Sequence, residues 1–230
     1  LPFHSQGEIQ LLGVPRRSQS GSIHWDQSSL AGKAHMFTQS LEIDIMAAHH
    51  FDAAVTGLGL SGTVRGAVWR SDITWTEPDH AHGYLSAVAN LDRSWYWKQK
   101  NWYGFVELYF NGQGETEPED ALTNNLLLQG LDRGELFVLS KMYCSAALEM
   151  EWSPLTRLST RTIFNLYDSS GVIQPIVRRD FTSDLELIAG GTIYFGPPET
   201  EFGGFSLSTP GKDIYIAPAN SIFVWLTAYF

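Results

Sequence analysis

Leu136-Phe-Val-Leu-Ser-Lys-Met-Tyr-Cys-Ser-Ala-Ala-Leu-Glu-Met-Glu151 carries the pattern on which the fold turns. One phase of this stretch holds Leu136, Val138, Ser140, Met142, Cys144, Ala146, Leu148 and Met150, while the opposite phase carries Lys141, Tyr143, Glu149 and Glu151. Side chains with a period of two point to alternate faces of an extended chain, so the stretch predicts a strand with one apolar and one polar face. Its length is informative too. Strands of soluble proteins usually run to about 5–6 residues, whereas strands that cross a bilayer at a tilt need about 9–11.

The same alternation recurs on both sides. From Arg65 to Glu77, Ala67, Trp69, Ser71, Ile73 and Trp75 oppose Val68, Arg70, Asp72 and Thr74. Leu85, Ala87, Ala89 and Leu91 oppose Tyr84, Ser86, Asn90 and Asp92, and Gly104, Val106, Leu108 and Phe110 oppose Tyr103, Glu107, Tyr109 and Asn111. Downstream, Leu158, Thr160, Thr162, Phe164 and Leu166 face away from Arg157, Arg161 and Asn165. Leu185, Leu187, Ala189, Gly191, Ile193 and Phe195 oppose Glu186 and Tyr194, and Ile222, Val224, Leu226, Ala228 and Phe230 oppose Ser221, Trp225, Thr227 and Tyr229. Leu41–Ala47 and Ala53–Leu60 also read as strands, whereas Pro175 counts against Val172–Asp180 because it removes a ladder donor. Residues 1–36 form an N-terminal segment of unclear structure ahead of a β domain at 37–230.

Alternation alone does not say which face is inside, since a soluble sandwich or barrel gives the same pattern. Connection lengths and aromatic placement decide. Counting back from the C-terminus, 196–218 is a long outer loop, 181–184 a short turn, 168–171 an outer tip, 152–154 a short turn and 113–133 a second long loop. Residues 97–100, 78–82 and 61–64 continue as turn, outer loop and turn. Long and short connections on opposite sides, with Trp75, Trp95, Tyr96, Trp97, Trp102, Tyr103, Phe110, Trp152, Tyr194 and Phe195 at strand ends, fit an antiparallel transmembrane β-barrel with aromatic girdles. The expected count is about ten strands, either the whole barrel or the C-terminal part of a larger one.

Composition narrows the classes. Formal net charge is −10, which excludes a basic nucleic-acid face. The single cysteine, Cys144, excludes an internal disulfide framework and sits on an apolar phase as a small hydrophobe. With no apolar run near 18 residues, entry into a membrane requires a closed β structure rather than a helix. Leu1-Pro-Phe-His has no signal-peptide pattern, so a processed, trimmed or partial chain is expected.

Ser221-Ile-Phe-Val-Trp-Leu-Thr-Ala-Tyr-Phe230 resembles the closing strand of bacterial outer-membrane proteins, in which a terminal Phe, here Phe230, is read by the barrel-assembly machinery. A broader likeness over about residues 50–230 rests on Gly57-Leu-Gly-Leu60, Arg65-Gly-Ala-Val-Trp-Arg70, Tyr84-Leu-Ser-Ala-Val-Ala-Asn-Leu-Asp92 and Lys100-Asn-Trp-Tyr-Gly-Phe-Val-Glu107. It continues in Arg133-Gly-Glu-Leu-Phe137 and Glu201-Phe-Gly-Gly204. These segments resemble a largely uncharacterised group of porin-like outer-membrane proteins. The likeness implies an outer-membrane location, contact with outer-membrane lipid and the same fold.

The candidate functional residues are the charges of the polar phases: Arg70, Asp72, Asp92, Glu107, Lys141, Glu149, Arg157, Arg161 and Glu186. They could line an aqueous pore and set its ion preference, or form a salt-bridged filling of a narrow interior. His49-His50 and His80-x-His82, with Asp52 and Asp79, are usual loop residues more often than metal ligands. Ser86, Ser94 and Ser140 lack a strand histidine beside them, so a rim hydrolase is disfavoured. Gly57-x-Gly-x-x-Ser-Gly62, Gly190-Gly191 and Gly203-Gly204 open no helix and read as turns or close strand approach. A short helix is expected around Ala121–Leu128. The function expected is a porin-like channel for passive diffusion of small solutes, without cofactor or catalysis. The rivals are a closed structural or surface-interaction barrel and, third, a rim-site enzyme.

Overall fold

The computed structural model describes residues 7–17, 21–209 and 212–229, and across them the chain is all-β and antiparallel. In chain order the elements are β1 (Gly7–Arg17), β2 (Ile23–Phe37), β3 (Leu41–His50), β4 (Ala53–Val64), β5 (Ala67–Pro78), β6 (Tyr84–Trp97) and β7 (Lys100–Asn111). Two short helices follow, α1 (Pro118–Ala121) and α2 (Asn125–Asp132), then β8 (Met142–Ser153), β9 (Thr156–Asn165), β10 (Gly171–Thr182) and β11 (Leu185–Phe195). The chain ends in β12 (Phe205–Thr209), β13 (Lys212–Ile216) and β14 (Ser221–Ala228). Twelve strands make one sheet in the order β1 to β11 and then β14, while β12 and β13 pair separately as a hairpin.

Among the described residues no ladder joins β14 to β1. The closed barrel of about ten strands expected from the sequence is therefore corrected to an unclosed sheet of twelve. The extra strands come largely from the segment before residue 37, where β1 and β2 pair from Gly7↔Met36 to Arg17↔Ile23 around an irregularity between Val14 and Arg16. Closure is a long-range pairing set by shear and tilt, and local alternation does not encode it. Phe230 lies outside the described residues.

The chain divides into two compact units, Leu1–Asn90 and Leu91–Phe230. In the first, β4 continues through the turn expected at 61–64 and ends at Val64. The reversal falls on Arg65-Gly66, both at positive φ (50° and 77°), the two-residue hairpin geometry whose twist matches the flanking strands. Gly57 and Gly59 sit within β4 rather than in a turn. A Cβ on Gly59 would meet the Asp72 carboxylate at 2.5 Å, so the missing side chain makes room for an acidic neighbour.

In the second unit, the reversal between β6 and β7 uses Lys98 and Gln99 at φ 49° and 60°. The quoted stretch from Leu136 departs from expectation: the ladder with β7 begins at Met142, opposite Phe110. Residues before it are drawn into loop packing through a parallel bridge of Ser140 to Glu115, so their alternation marks a lining and not a strand. Pro175 does not end β10. It pairs with Thr160 on the β9 side, while the recorded β11 ladder skips from Ile173↔Ile193 to Ile176↔Gly190. There Gln174 Nε2 donates to Thr192 Oγ1 at 3.2 Å. The proline thus faces the side where a donor is not demanded. The helix expected at Ala121–Leu128 is split in two, with Asn124 capping the second helix by accepting from the backbone N–H of Leu126 and Leu127.

Burial is inverted relative to an ordinary β core. Among the described residues the buried hydrophobic side chains are Phe51, Ala67, Ala121, Leu127, Tyr143 and Val172. Ile45, Leu58, Ile73, Val106, Leu108, Leu148, Val177 and Ile193, all mid-strand, are exposed.

Candidate functional site

Register places the candidate charges on one face within each unit, because residues directly opposite on neighbouring strands share a face. In the first unit Ser61↔Arg70 and Gly59↔Asp72 continue across β4 to Glu42 and Asp44. Asp44 pairs with Lys33 Nζ at 2.9 Å and with His35 Nδ1 at 2.7 Å, and Arg70 Nη1 donates to Asn90 Oδ1 at 3.4 Å. The sequence candidates do not include the Lys33–His35–Asp44 group: Lys33 and His35 fall in the segment before residue 37 that shows no clear strand pattern, and their pairing with Asp44 depends on the β2–β3 register.

In the second unit Glu149 and Glu151 of β8 converge on Arg157 of β9. Arg157 Nε lies 3.2 Å from Glu149 and its Nη2 3.6 Å from Glu151. Arg157 stands directly opposite Arg178 of β10, whose Nε is 2.8 Å from Glu186 of β11. Two guanidinium groups facing each other across a ladder are destabilising by themselves, and here each is flanked by a carboxylate on its outer side. Glu151, Arg157, Arg178 and Glu186 border a polar recess of about 150 Å³ that also includes Asp180. Asp92 and Glu107 take part in polar interactions of their own. Arg161 lies on the same face opposite Ala147 and Gln174, with no ion pair among the described residues. Lys141 falls ahead of β8, its backbone N–H donating to the Glu115 carbonyl.

A second cluster lies at the long-loop end of the second unit. The Tyr143 hydroxyl donates to Glu201 Oε2 at 2.5 Å and accepts from the Ser140 N–H at 2.5 Å. Asn165 Nδ2 donates to the same Glu201 oxygen at 2.9 Å and to Ser140 Oγ at 2.7 Å, and the Leu139 N–H reaches Glu201 Oε1 at 2.9 Å. Asp168 accepts from the Glu201 N–H at 2.8 Å and from both the N–H and hydroxyl of Ser170. Tyr143, Ser140, Asn165, Asn111 and Ser170 are almost wholly removed from solvent. Burial raises the Glu201 carboxyl above the ordinary carboxylate range, and the donors from Tyr143, Leu139 and Asn165 pull it partway back. Gly204 completes the turn at φ 96°, a region that glycine enters without strain. The cluster is a fastening: it ties the segment after β11 to the starts of β8 and β10 and to the end of β9.

The other candidates separate. His49 and His50 end β3, with His50 Nδ1 2.7 Å from Ser29 Oγ, while His80 and His82 lie in the connection from β5 to β6. Among the described residues no three His, Cys, Asp or Glu side chains gather as metal ligands. Ser140 has a structural partner in Asn165, and Ser86 and Ser94 lie within β6. Sequence reading missed Glu201, Tyr143 and Asn165 as a group, although Tyr143 and Asn165 lie on polar phases and Glu201 opens the quoted Glu-Phe-Gly-Gly segment.

The fold and site define an antiparallel all-β protein with exposed apolar phases and charge-bearing opposite phases. No family model, curated protein or solved structure matches the chain.

Proposed function

We propose that the chain works in a bacterial outer membrane as a porin-like channel for passive diffusion of small solutes, its apolar phases against lipid and its charged phases against water. One observation carries this reading. Along β3 to β11 the large apolar side chains of one phase are left uncovered by protein, while in the middle of the strands the charges keep to the other phase and only Glu77, Arg93, Lys100 and Arg179, nearer strand ends, depart from it. In water such a surface is an aggregation hazard; in hydrocarbon it is the required one, since a cation there at mid-depth costs about 2–4 kcal/mol. Lipid also demands that the free ladders of β1 and β14 be satisfied, through each other or through further strands. Arg70, Asp72, Asp92, Glu107, Glu149, Arg157, Arg161 and Glu186 then face the aqueous path, and the barrel-assembly machinery would read Phe230. The ion pairs around Arg157 and Arg178 favour a second reading, in which side chains fill the interior and the protein is structural.

Planar-bilayer conductance after detergent refolding, with β-type circular dichroism as the folding control, separates the two. Discrete current steps support the channel. A folded, inserted and silent protein supports the filled interior, and a chain that stays folded and monomeric without detergent overturns both.

A further inference from the structure

We infer that the short-turn end of the second unit is a binding belt for acidic phospholipid, with a built site at the β6–β7 turn; the inference rests on the membrane reading above. From Arg93 to Val106 the sequence holds three basic residues, Arg93, Lys98 and Lys100, and no acidic one, in a chain of net charge −10. The strand phases sharpen this. Trp102↔Met150 and Gly104↔Leu148 put Lys100, Trp102, Leu148 and Trp152 on the apolar phase, and Arg93, Trp95 and Trp97 follow the apolar phase of β6. Arg179 lies on the apolar phase of β10, opposite Leu187. The charged residues on the apolar phases of β6 to β11 beyond Asn90 are thus Arg93, Lys100 and Arg179. All three are basic, and all lie towards the short-turn ends of their strands.

Aromatic rings accompany the cations. Lys98 Nζ sits 4.5 Å from the Trp97 ring centroid, Lys100 Nζ 5.4 Å from that of Trp152, and the Arg179 guanidinium 5.2 Å from that of Phe181. Lys100 also donates to the Trp152 carbonyl. Trp95 and Trp102 stack at 6.3 Å with planes 9° apart, and the Trp95 ring lies over Gly104, where a Cβ would meet it at 2.9 Å. These rings, with Tyr96, Trp97 and Leu148, line a shallow, open apolar recess of about 570 Å³. The ring-lined recess, with the Lys98 ammonium against Trp97 and the Lys100 ammonium against Trp152, offers one place for an acyl chain or glycerol and others for a phosphodiester. Amphipathic rings and long cationic side chains both settle at headgroup depth, and cations near an anionic leaflet bind it.

The test compares insertion of the refolded chain into vesicles of phosphatidylcholine alone with vesicles that also contain phosphatidylglycerol. Tryptophan quenching by brominated acyl chains and recovery of bound lipid are the readouts. The expected result is a preference for the phosphatidylglycerol vesicles that falls about fivefold per lysine in Lys98→Gln and Lys100→Gln, with circular dichroism unchanged. Leu148→Trp, which fills the recess, should lower lipid recovery while leaving both lysines in place. Equal insertion into both vesicles with no effect of the lysine variants overturns the lipid site and leaves the membrane reading standing. Failure to insert into either vesicle overturns that reading as well. Abolition of the preference by millimolar inorganic phosphate, with salt of equal ionic strength inert, reassigns the site to free phosphate and overturns the proposal.

Discussion

The two ends of the second unit are built from the same strands and solve opposite problems. At the long-loop end polar groups turn inward on one another: Tyr143, Asn165, Ser140 and Glu201 are buried and mutually bonded. At the short-turn end the chain presents its groups outward, with Trp97, Tyr96 and Trp152 more than half exposed and cations beside the rings. Sealing costs desolvation and needs complete pairing, whereas presentation needs an external partner. The difference teaches that one end is a closed piece of architecture and the other a surface awaiting its surroundings.

Placing a cation between the ends tests the comparison most severely. Val106→Arg or Leu187→Arg should prevent insertion, at a cost of about 2–4 kcal/mol each if the site lies at mid-depth, although Arg93, Lys100 and Arg179 are native to the same phase nearer the turns. Normal insertion of both variants, read by heat-dependent gel mobility, would remove the distinction between band and belt.

The sealed end should respond strongly but locally. Glu201→Ala leaves the Tyr143 hydroxyl, the Asn165 amide and the Leu139 N–H short of an acceptor, each unsatisfied buried group costing about 1–3 kcal/mol. The expected outcome is rapid proteolysis within 196–218 with unchanged strand content by circular dichroism; an equally protected loop would show that the cluster holds nothing. Tyr143→Phe should give the same outcome with a smaller rate change, since it removes one donor to Glu201 and one acceptor for Ser140.

A pH series sharpens the point further. Burial raises the Glu201 carboxyl, so the folded cluster favours its protonated form more than the unfolded chain does. Its contribution is complete below the ordinary carboxylate range and is lost as pH rises through the raised value. Loop protection should therefore decline from acid towards neutral pH in the native chain and stay flat in Glu201→Gln. A native profile that rises with pH would reverse the assignment. The smallest effect is expected from Arg161→Gln, which removes a cation without an ion pair from the polar face. In a conducting protein it should shift the reversal potential towards cations by a modest amount, and an identical potential would take Arg161 out of the ion path.

Strand identity was legible because two-residue periodicity is a local property, and Met142–Glu151, Leu158–Asn165 and Ile222–Ala228 carry it plainly. Leu136–Ser140 imitated it, since a segment lining a loop can also bury alternate residues. Pro175 was misjudged because its tolerance depends on which neighbour its nitrogen faces, which only the register reveals. Within each unit, strand register sets the strand-borne candidate charges on the phase opposite the large apolar side chains, whereas Lys141 falls ahead of β8. Their pairing was not legible, because Arg157–Glu149 and Arg178–Glu186 depend on strand stagger. Glu201 lies 58 residues from Tyr143 and 36 from Asn165, and no local pattern in a single sequence links such positions.

The facing guanidinium groups of Arg157 and Arg178 carry a consequence for how the sheet is assembled. The β9–β10 hairpin has a short connection and would be an early, local product, yet by itself it sets two like charges against each other. It becomes electrostatically consistent only when β8 delivers Glu149 and Glu151 on one side and β11 delivers Glu186 on the other. Frustration inside the central hairpin thus couples four consecutive strands, so that β8 to β11 gain their register together instead of one hairpin at a time.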